Sequence, residues 1–355
     1  MDNITLLGID LAKNIFQLHG VDKLGRTKLK RTLRRRALVK YVSQLPVCTI
    51  AMEACSSSNH FSRKFQKFGH EVKIISPQFV TPFVQSNKND AADAEAICEA
   101  ASRLNMRFVS TKSVAQQDIQ CLHRVRKLLV GNRTSLTNEI RSILGEFGIV
   151  FSQGRSALEE GIKGLLNGSH PPEELSSKGL VLLQALYSEL LELDKRIEDY
   201  ELKLEQIARQ PQCQRLLKVG GLGILSVTAL TVALADPEQF KNGRNFAAWL
   251  GLVPKHVGTG GKSRILGISK RGNTDLRTLL IHGARAKLRG INRKFINGTK
   301  LDPLEDWAYR LCQRQGFNKA TVALANKNAR IAWSISANKT DFDPKEAVAL
   351  LKEAA

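Results

Sequence analysis

The sequence predicts an α/β domain with a mixed sheet at its N-terminal end, then a long helical region, then a mainly α C-terminal domain. Three observations carry this. Three strand-like runs joined by short turns occupy the first 32 residues. Helical and strand-like segments then alternate to about residue 104, and a heptad-spaced seam and further helical periodicities fill the rest.

Ile4–Asp10 is an apolar run that ends on an acid. Ile15–Val21 and Thr27–Thr32 read as the next two strands, with a turn at Asp22–Gly25, so the first three strands form an antiparallel meander. Arg34–Leu45 fits a helix, and Val47–Met52 fits a fourth strand followed by a second acid, Glu53. Ser56–Phe68 fits a helix closed by Gly69, and Glu71–Ile75 a fifth strand stopped by Ser76-Pro77. A helix opens near Asp90 and runs to about Leu104. This order of three strands followed by alternating helix and strand is that of an RNase H-like fold.

Residues 113–148 read as a long helix, and 154–172 as a connection holding one short helix. Leu183, Leu186, Leu190, Leu193, Ile197, Tyr200, Leu204 and Ile207 keep the alternating three- and four-residue spacing of an a/d seam. Such a seam is covered either by helix 113–148 of the same chain or by a second copy in a dimer or tetramer. Beyond Pro211, helices are expected from the Gly220–Gly223 turn through Ala235, over Arg244–Gly251, Asp275–Leu288 and Ala320–Trp333, with a Gly/Lys-rich loop from Pro254 to Gly272. The expected domains are 1–112, 113–209 and 210–340, with a tail at 341–355.

The balance of 54 Lys and Arg against 33 Asp and Glu gives +21, which points to a polyanionic partner, nucleic acid first. Charge is densest over Lys28–Arg36, with Arg34, Arg35 and Arg36, and over His123–Arg141, with Arg124, Lys127 and Arg133. No apolar run is long enough to cross a bilayer, and the acidic N-terminus does not read as a signal peptide. Six cysteines without a C-x-x-C pair read as reduced thiols, so a cytoplasmic, nucleoid-associated bacterial protein without a membrane role is expected.

Asp10 and Glu53 each close a strand, while Asp90 and Asp93 lie three apart at the start of a helix. Ends of neighbouring strands lie about 5 Å apart, and an i, i+3 pair shares a helix face. Four carboxylates can therefore converge at one sheet edge. Such a cluster is costly without cations, and its hard oxygens suit Mg²⁺ or Mn²⁺. Paired divalent ions serve in-line phosphodiester displacement, either in a recombinase or in a metal-dependent, junction-resolvase-like nuclease.

Gly8-Ile9-Asp10-Leu11-Ala12-Lys13, Met52-Glu53-Ala54 and Asn87–Ala94 resemble the N-terminal motifs of the DEDD transposases, the bridge-RNA-guided recombinases of the insertion-sequence one-ten family. Gly220-Gly221-Leu222-Gly223, Phe246–Pro254, Ile268–Asn273 and Ala320–Lys327 are similar to that family's C-terminal motifs. The resemblance implies a RuvC-like nuclease domain with Asp10, Glu53, Asp90 and Asp93 as metal ligands, a coiled-coil region, and a transposase domain bearing a nucleophilic serine. It also implies a structured guide RNA that pairs with donor and target double-stranded DNA, leaving the protein to read shape and backbone charge. The family's Ser-Gly follows the proline, where this chain has Gly258-Thr259-Gly260-Gly261-Lys262, so Thr259 stands at the serine position and Ser263 is the alternative nucleophile. Lys262, Arg264, Lys270 and Arg271, with His256, are placed to bind phosphate. The Gly220–Gly223 turn reads either as a phosphate-approaching turn before a helix N-terminus or as a tight turn between helices.

Overall fold

A computed structural model describes residues 4–84, 90–168, 175–259 and 262–345. The chain divides into two compact units, residues 1–117 with 236–241, and residues 118–235 with 242–355.

The first unit is built on a six-stranded sheet. Strands β1 (Leu6–Asp10), β2 (Ile15–Val21) and β3 (Thr27–Arg34) form the expected meander, followed by helix α1 (Arg35–Ser43), β4 (Thr49–Glu53), α2 (Ser58–Gln66) and β5 (Glu71–Ile75). The short helix α3 (Pro77–Val80), α4 (Asp90–Ser102) and β6 (Phe108–Val109) complete it. The strand order is β3-β2-β1-β4-β5-β6, with β4 parallel to both β1 and β5, and β6 antiparallel to β5.

Strand alternation sorts the side chains. Leu7, Ile9, Ile50 and Met52 face one way, into a core with Phe16, Leu38, Val42, Phe61 and Phe65. Ala51 and Ile75 face the other way, into a core with Ala96, Ile97 and Ala100 of α4. Helix α4 approaches β1 so closely because residue 8 is glycine. A Cβ built there would lie 2.5 Å from the Ala94 carbonyl oxygen and 2.9 Å from Cys98 Sγ. The buried Cys98 thiol fastens the same contact, accepting from the Gly8 N–H at 3.0 Å and donating to the His19 carbonyl at 3.0 Å. Burial pushes this thiol up to about 12, so it stays protonated and able to donate. Gly8→Ala is therefore expected to destabilise the first unit by about 1–3 kcal/mol, because its neighbour is backbone and cannot swing aside. Thermal unfolding followed by circular dichroism measures this, and an unchanged melting curve would contradict the packing argument.

Among the described residues, the second unit is helical except for one hairpin. Its helices are α5 (Val114–Glu146), which begins in the first unit, α6 (Arg155–Leu166), α7 (Ser177–Ala208), α8 (Pro211–Leu217), α9 (Ile224–Ala233) and α10 (Gly243–Trp249). Strands β7 (Pro254–Thr259) and β8 (Lys262–Ile268) follow, then α11 (Thr274–Ile296), α12 (Pro303–Gln315) and α13 (Phe317–Asn338).

The seam of α7 is covered from within the chain. Leu183, Tyr187 and Leu190 pack with Ile140 and Leu144 of α5 and Leu158 and Ile162 of α6, while Leu193 and Ile197 pack with Leu129. The ion pairs Arg126–Glu201 and Arg133–Asp194 run in opposite senses along the two helices, which makes α5 and α7 an antiparallel hairpin. An oligomer held through this seam is thereby corrected, since the apolar face is already filled. Two further differences concern the C-terminal half. The expected loop over Pro254–Gly272 is largely the β7–β8 hairpin, and α12 was not anticipated. Its signal is nonetheless in the sequence, because Asp302-Pro303-Leu304-Glu305 forms a capping box with proline in the first turn.

Candidate active site

The β1–β4 register pairs Ile9 with Met52, so Asp10 and Glu53 stand next along two adjacent parallel strands. Asp10 shares strand parity with Gly8, and Glu53 with Ala51, which places both acids on the sheet face that α4 covers. Both are half-buried. Leu6, at the opposite end of β1, packs on the cluster formed by the later turns of α4, while Ala94 in its second turn lies over Gly8. The first turn, which carries Asp90 and half-buried Asp93, is therefore directed toward the Asp10 end of the strand. The side chain of Asp90 lies outside the described residues, as do Asn87-Lys88-Asn89 of its motif. Among the described residues, no three His, Cys, Asp or Glu side chains stand close enough to hold a metal ion. The donor set nonetheless fits a hard divalent cation: carboxylate oxygens only, from two strand ends and one helix start, on one face of one sheet.

The sequence-derived hydroxyls lie on the hairpin. Thr259 pairs with Lys262, and Ser263 pairs with Gly258, so the two hydroxyl residues fall at register positions of opposite parity. Residues 260–261 and the side chains of Thr259, Lys262 and Ser263 lie outside the described residues. The hairpin projects from a rigid root. The Ser269 N–H donates to the Val253 carbonyl at 2.8 Å and the Lys270 N–H to the Gly251 carbonyl at 3.1 Å. Gly251 and Gly272, both at positive φ, allow this approach, since a Cβ at Gly272 would lie 1.7 Å from the Trp249 carbonyl oxygen. Buried Arg277 clamps the root by donating to the Leu250 carbonyl at 2.9 Å and the Arg271 carbonyl at 2.8 Å. Sequence reasoning passed over this arginine. Lys270 takes a left-handed backbone conformation at φ 55, uncommon for a residue with a Cβ. Its exposed side chain, with those of Arg264 and Arg271, surrounds the root and arms of the ribbon with positive charge, and His256 is exposed as well.

The two basic segments fare differently. Arg34, Arg35 and Arg36 are exposed where edge strand β3 meets α1, and Arg35 lies over the rings of Phe16 and Phe61 at 5.7 and 5.0 Å. In the 123–141 segment most cations already have partners. Arg133 and Arg155 share Asp194, Lys127 reaches Asp275, and Arg141 donates to the carbonyls of Phe151, Ser152 and Gly154. His123 bonds Thr228 at 3.0 Å, and burial, reinforced by Arg126, holds it down at about 4, so it is neutral near pH 7. Arg124 is exposed. The Gly220–Gly223 turn is a packing turn. Gly221, at φ +93, lies against the Gly283 carbonyl, and Asn328 donates to the Gly220 carbonyl at 3.0 Å.

A strand-end acid pair on an RNase H-like sheet, in a chain that also bears a basic hairpin, is an arrangement compatible with phosphodiester chemistry. The comparisons agree. The family model described as "Transposase", of the DEDD type, matches residues 7–149, and that described as "Transposase IS116/IS110/IS902 family" matches residues 213–297. The chain is 45% identical to the "Probable family 20 transposase" of Pseudomonas aeruginosa, covering 96% of this chain and 99% of that one. It is 44% identical to the transposase for insertion sequence element IS1111A of Coxiella burnetii, with 94% and 90% covered. It is 40% identical to the transposase for insertion sequence element IS1328 of Yersinia enterocolitica, with 96% and 99% covered. The chain belongs to the IS110 family of insertion-sequence transposases, with a RuvC-like N-terminal domain, and it acts on DNA. No helix among the described residues is long and apolar enough to cross a membrane.

Proposed function

We propose that this transposase cleaves and exchanges DNA strands through a covalent link to a hairpin hydroxyl, guided by a structured bridge RNA, in the bacterial cytoplasm. The observation that carries the reading is the pairing of two elements in one chain: acids at adjacent strand ends under α4, and a glycine-tipped basic hairpin on a rigid root. In this reading residues 1–112 are the catalytic domain, 113–209 the helical region, 210–340 the transposase domain and 341–355 a tail. Asp10, Glu53, Asp90 and Asp93 would hold Mg²⁺ or Mn²⁺, which when bound would stabilise the negative charge on the phosphodiester oxygens during displacement at phosphorus. The hydroxyl of Thr259, or of Ser263, forms a bond to phosphorus as one backbone P–O bond breaks. The hydroxyl loses its proton and the departing oxygen gains one. Lys262, Arg264, Lys270 and Arg271 orient the phosphates, while Arg34, Arg35, Arg36 and Arg124 grip guide RNA. Lys127 and Arg133 would do so only on leaving Asp275 and Asp194. A dimer or tetramer on DNA assembles through surfaces other than the α7 seam.

The deciding experiment mixes the protein, RNA transcribed from the element's flanking non-coding segment, labelled DNA and Mg²⁺, and resolves the products on a denaturing gel. A metal-dependent protein–DNA adduct is expected, mapping to Thr259 or Ser263 and lost in the corresponding alanine variant. Cleaved DNA without an adduct would replace this reading with a metal-dependent nuclease. An adduct formed equally well without RNA would remove the guide.

A further inference from the structure

We propose that Lys327, Arg330 and Arg244 form a phosphodiester-binding site in the C-terminal unit, distinct from the acids and from the hairpin cations. Lys327 and Arg330 are three residues apart on α13, hence on one helix face. Gly243, which precedes Arg244 at the start of α10, is packed against Arg330. A Cβ at Gly243 would lie 3.0 Å from the Arg330 carbonyl oxygen and 3.3 Å from its Cβ. Three cations thus meet where α10 crosses α13.

The deepest of them is anomalous. Lys327 is 2% exposed, and its Nζ has no hydrogen-bond partner among the described residues. Isolated burial of an ammonium is costly, and an apolar side chain of the same length would fill the space without that cost. The charge acting on Lys327 is another cation, Arg330, and Arg244 acts in turn on Arg330. Burial, and then Arg330, bring Lys327 down to about 8. An anion at the Lys327 ammonium would offset both its burial and the repulsion from Arg330.

The cations are graded in depth, with Arg244 exposed, Arg330 half-buried and Lys327 buried. This grading suits a phosphate guided inward from the surface, met by an ammonium whose four-carbon stem can extend toward it. The flanking residues pin this stretch of α13. Asn326 donates to the Leu252 carbonyl at 3.2 Å, just before the hairpin, and Asn328 donates to the Gly220 carbonyl. A phosphate held at Lys327 would therefore register nucleic acid against the root of the hairpin. The inference rests on the reading that this chain binds nucleic acid, and the shared chemistry, a phosphodiester, could belong to DNA or to RNA.

The test uses full-length Lys327→Met and Arg244→Gln, with fluorescein-labelled duplex DNA and, separately, a structured RNA, each titrated by anisotropy across a NaCl series. Lys327→Met is expected to melt higher than wild type, because it removes a buried unpaired charge. It should also bind about tenfold more weakly, with the logarithmic salt slope reduced by roughly one. Arg244→Gln alters an exposed side chain and should show the same slope loss with an unchanged melting temperature. Weakening with both polymers supports the site as a general phosphate clamp, and weakening with one alone supports it and identifies the source. Wild-type affinity and slope in both variants would overturn the site while leaving the transposase reading intact. A wild-type protein that binds neither polymer would overturn both.

Discussion

Asp10→Asn is expected to lower strand cleavage by about a thousandfold or more, roughly 4 kcal/mol of transition-state stabilisation, without weakening DNA binding. Asparagine keeps the size of the side chain at the end of β1 and removes its charge. The residue stands beside Glu53 on the face under α4, so the loss falls on the acid set and not on the core, which is made by the opposite-parity residues Leu7 and Ile9. Removing a negative charge from a surface that meets phosphates cannot reduce electrostatic attraction for DNA, so affinity should hold or rise slightly. Single-turnover cleavage at saturating DNA, repeated over a range of Mg²⁺ and Mn²⁺ concentrations, separates the two quantities. Cleavage by Asp10→Asn at the wild-type rate would falsify the assignment of this carboxylate to the chemistry. Glu53→Gln should behave alike, since the β1–β4 register makes the two positions neighbours.

How far such residues can be read without a structure depends on the range of the interaction involved. Strands β2 and β5 were legible to the residue, because alternation and turn residues are local signals. Asp10 and Glu53 were legible for the same reason, being acids that terminate apolar runs. The hairpin β7–β8 was hidden by its composition. Its glycines and lysines read as loop, and Val257, Ile265 and Leu266 are left more than half or half exposed, so no buried face imposes a pattern. Charge density along α5 could not distinguish a nucleic-acid grip from internal pairing, because Asp194, Glu201 and Asp275 are brought to it only by the tertiary fold. The α7 seam had the opposite limitation: heptad spacing defines an apolar face but not which helix covers it. Lys327 lay beyond sequence reasoning altogether, since a lysine in a helix is ordinarily a solvated one.

Glu305→Gln is expected to cost about 3 kcal/mol of stability at neutral pH and to remove most of the acid sensitivity of the C-terminal unit. Glu305 is buried, with its side chain 3% exposed, and it carries Lys287 at 2.6 Å and Lys294 at 2.8 Å while also accepting the Asp302 N–H at 3.2 Å as part of the α12 capping box. Burial by itself would raise this carboxyl. The hydrogen bonds from the two lysines and the Asp302 N–H, with the charge of Lys287, outweigh it and hold the group at about 2. A carboxyl whose folded value lies below its unfolded value stabilises the fold above the unfolded value, near 4.5, and that contribution is lost as pH falls from there to about 2. The size of the depression corresponds to about 3 kcal/mol, matching the low end for breaking a buried ion pair, as it should when both ammonium groups can still turn toward water. All three tryptophans, Trp249, Trp307 and Trp333, lie in this unit, so fluorescence-monitored urea unfolding reports on it directly. Between pH 7 and pH 2 the gap between wild type and Glu305→Gln should shrink toward zero. A gap that stayed constant would mean that the side chain acts through shape and capping, and not through its charge.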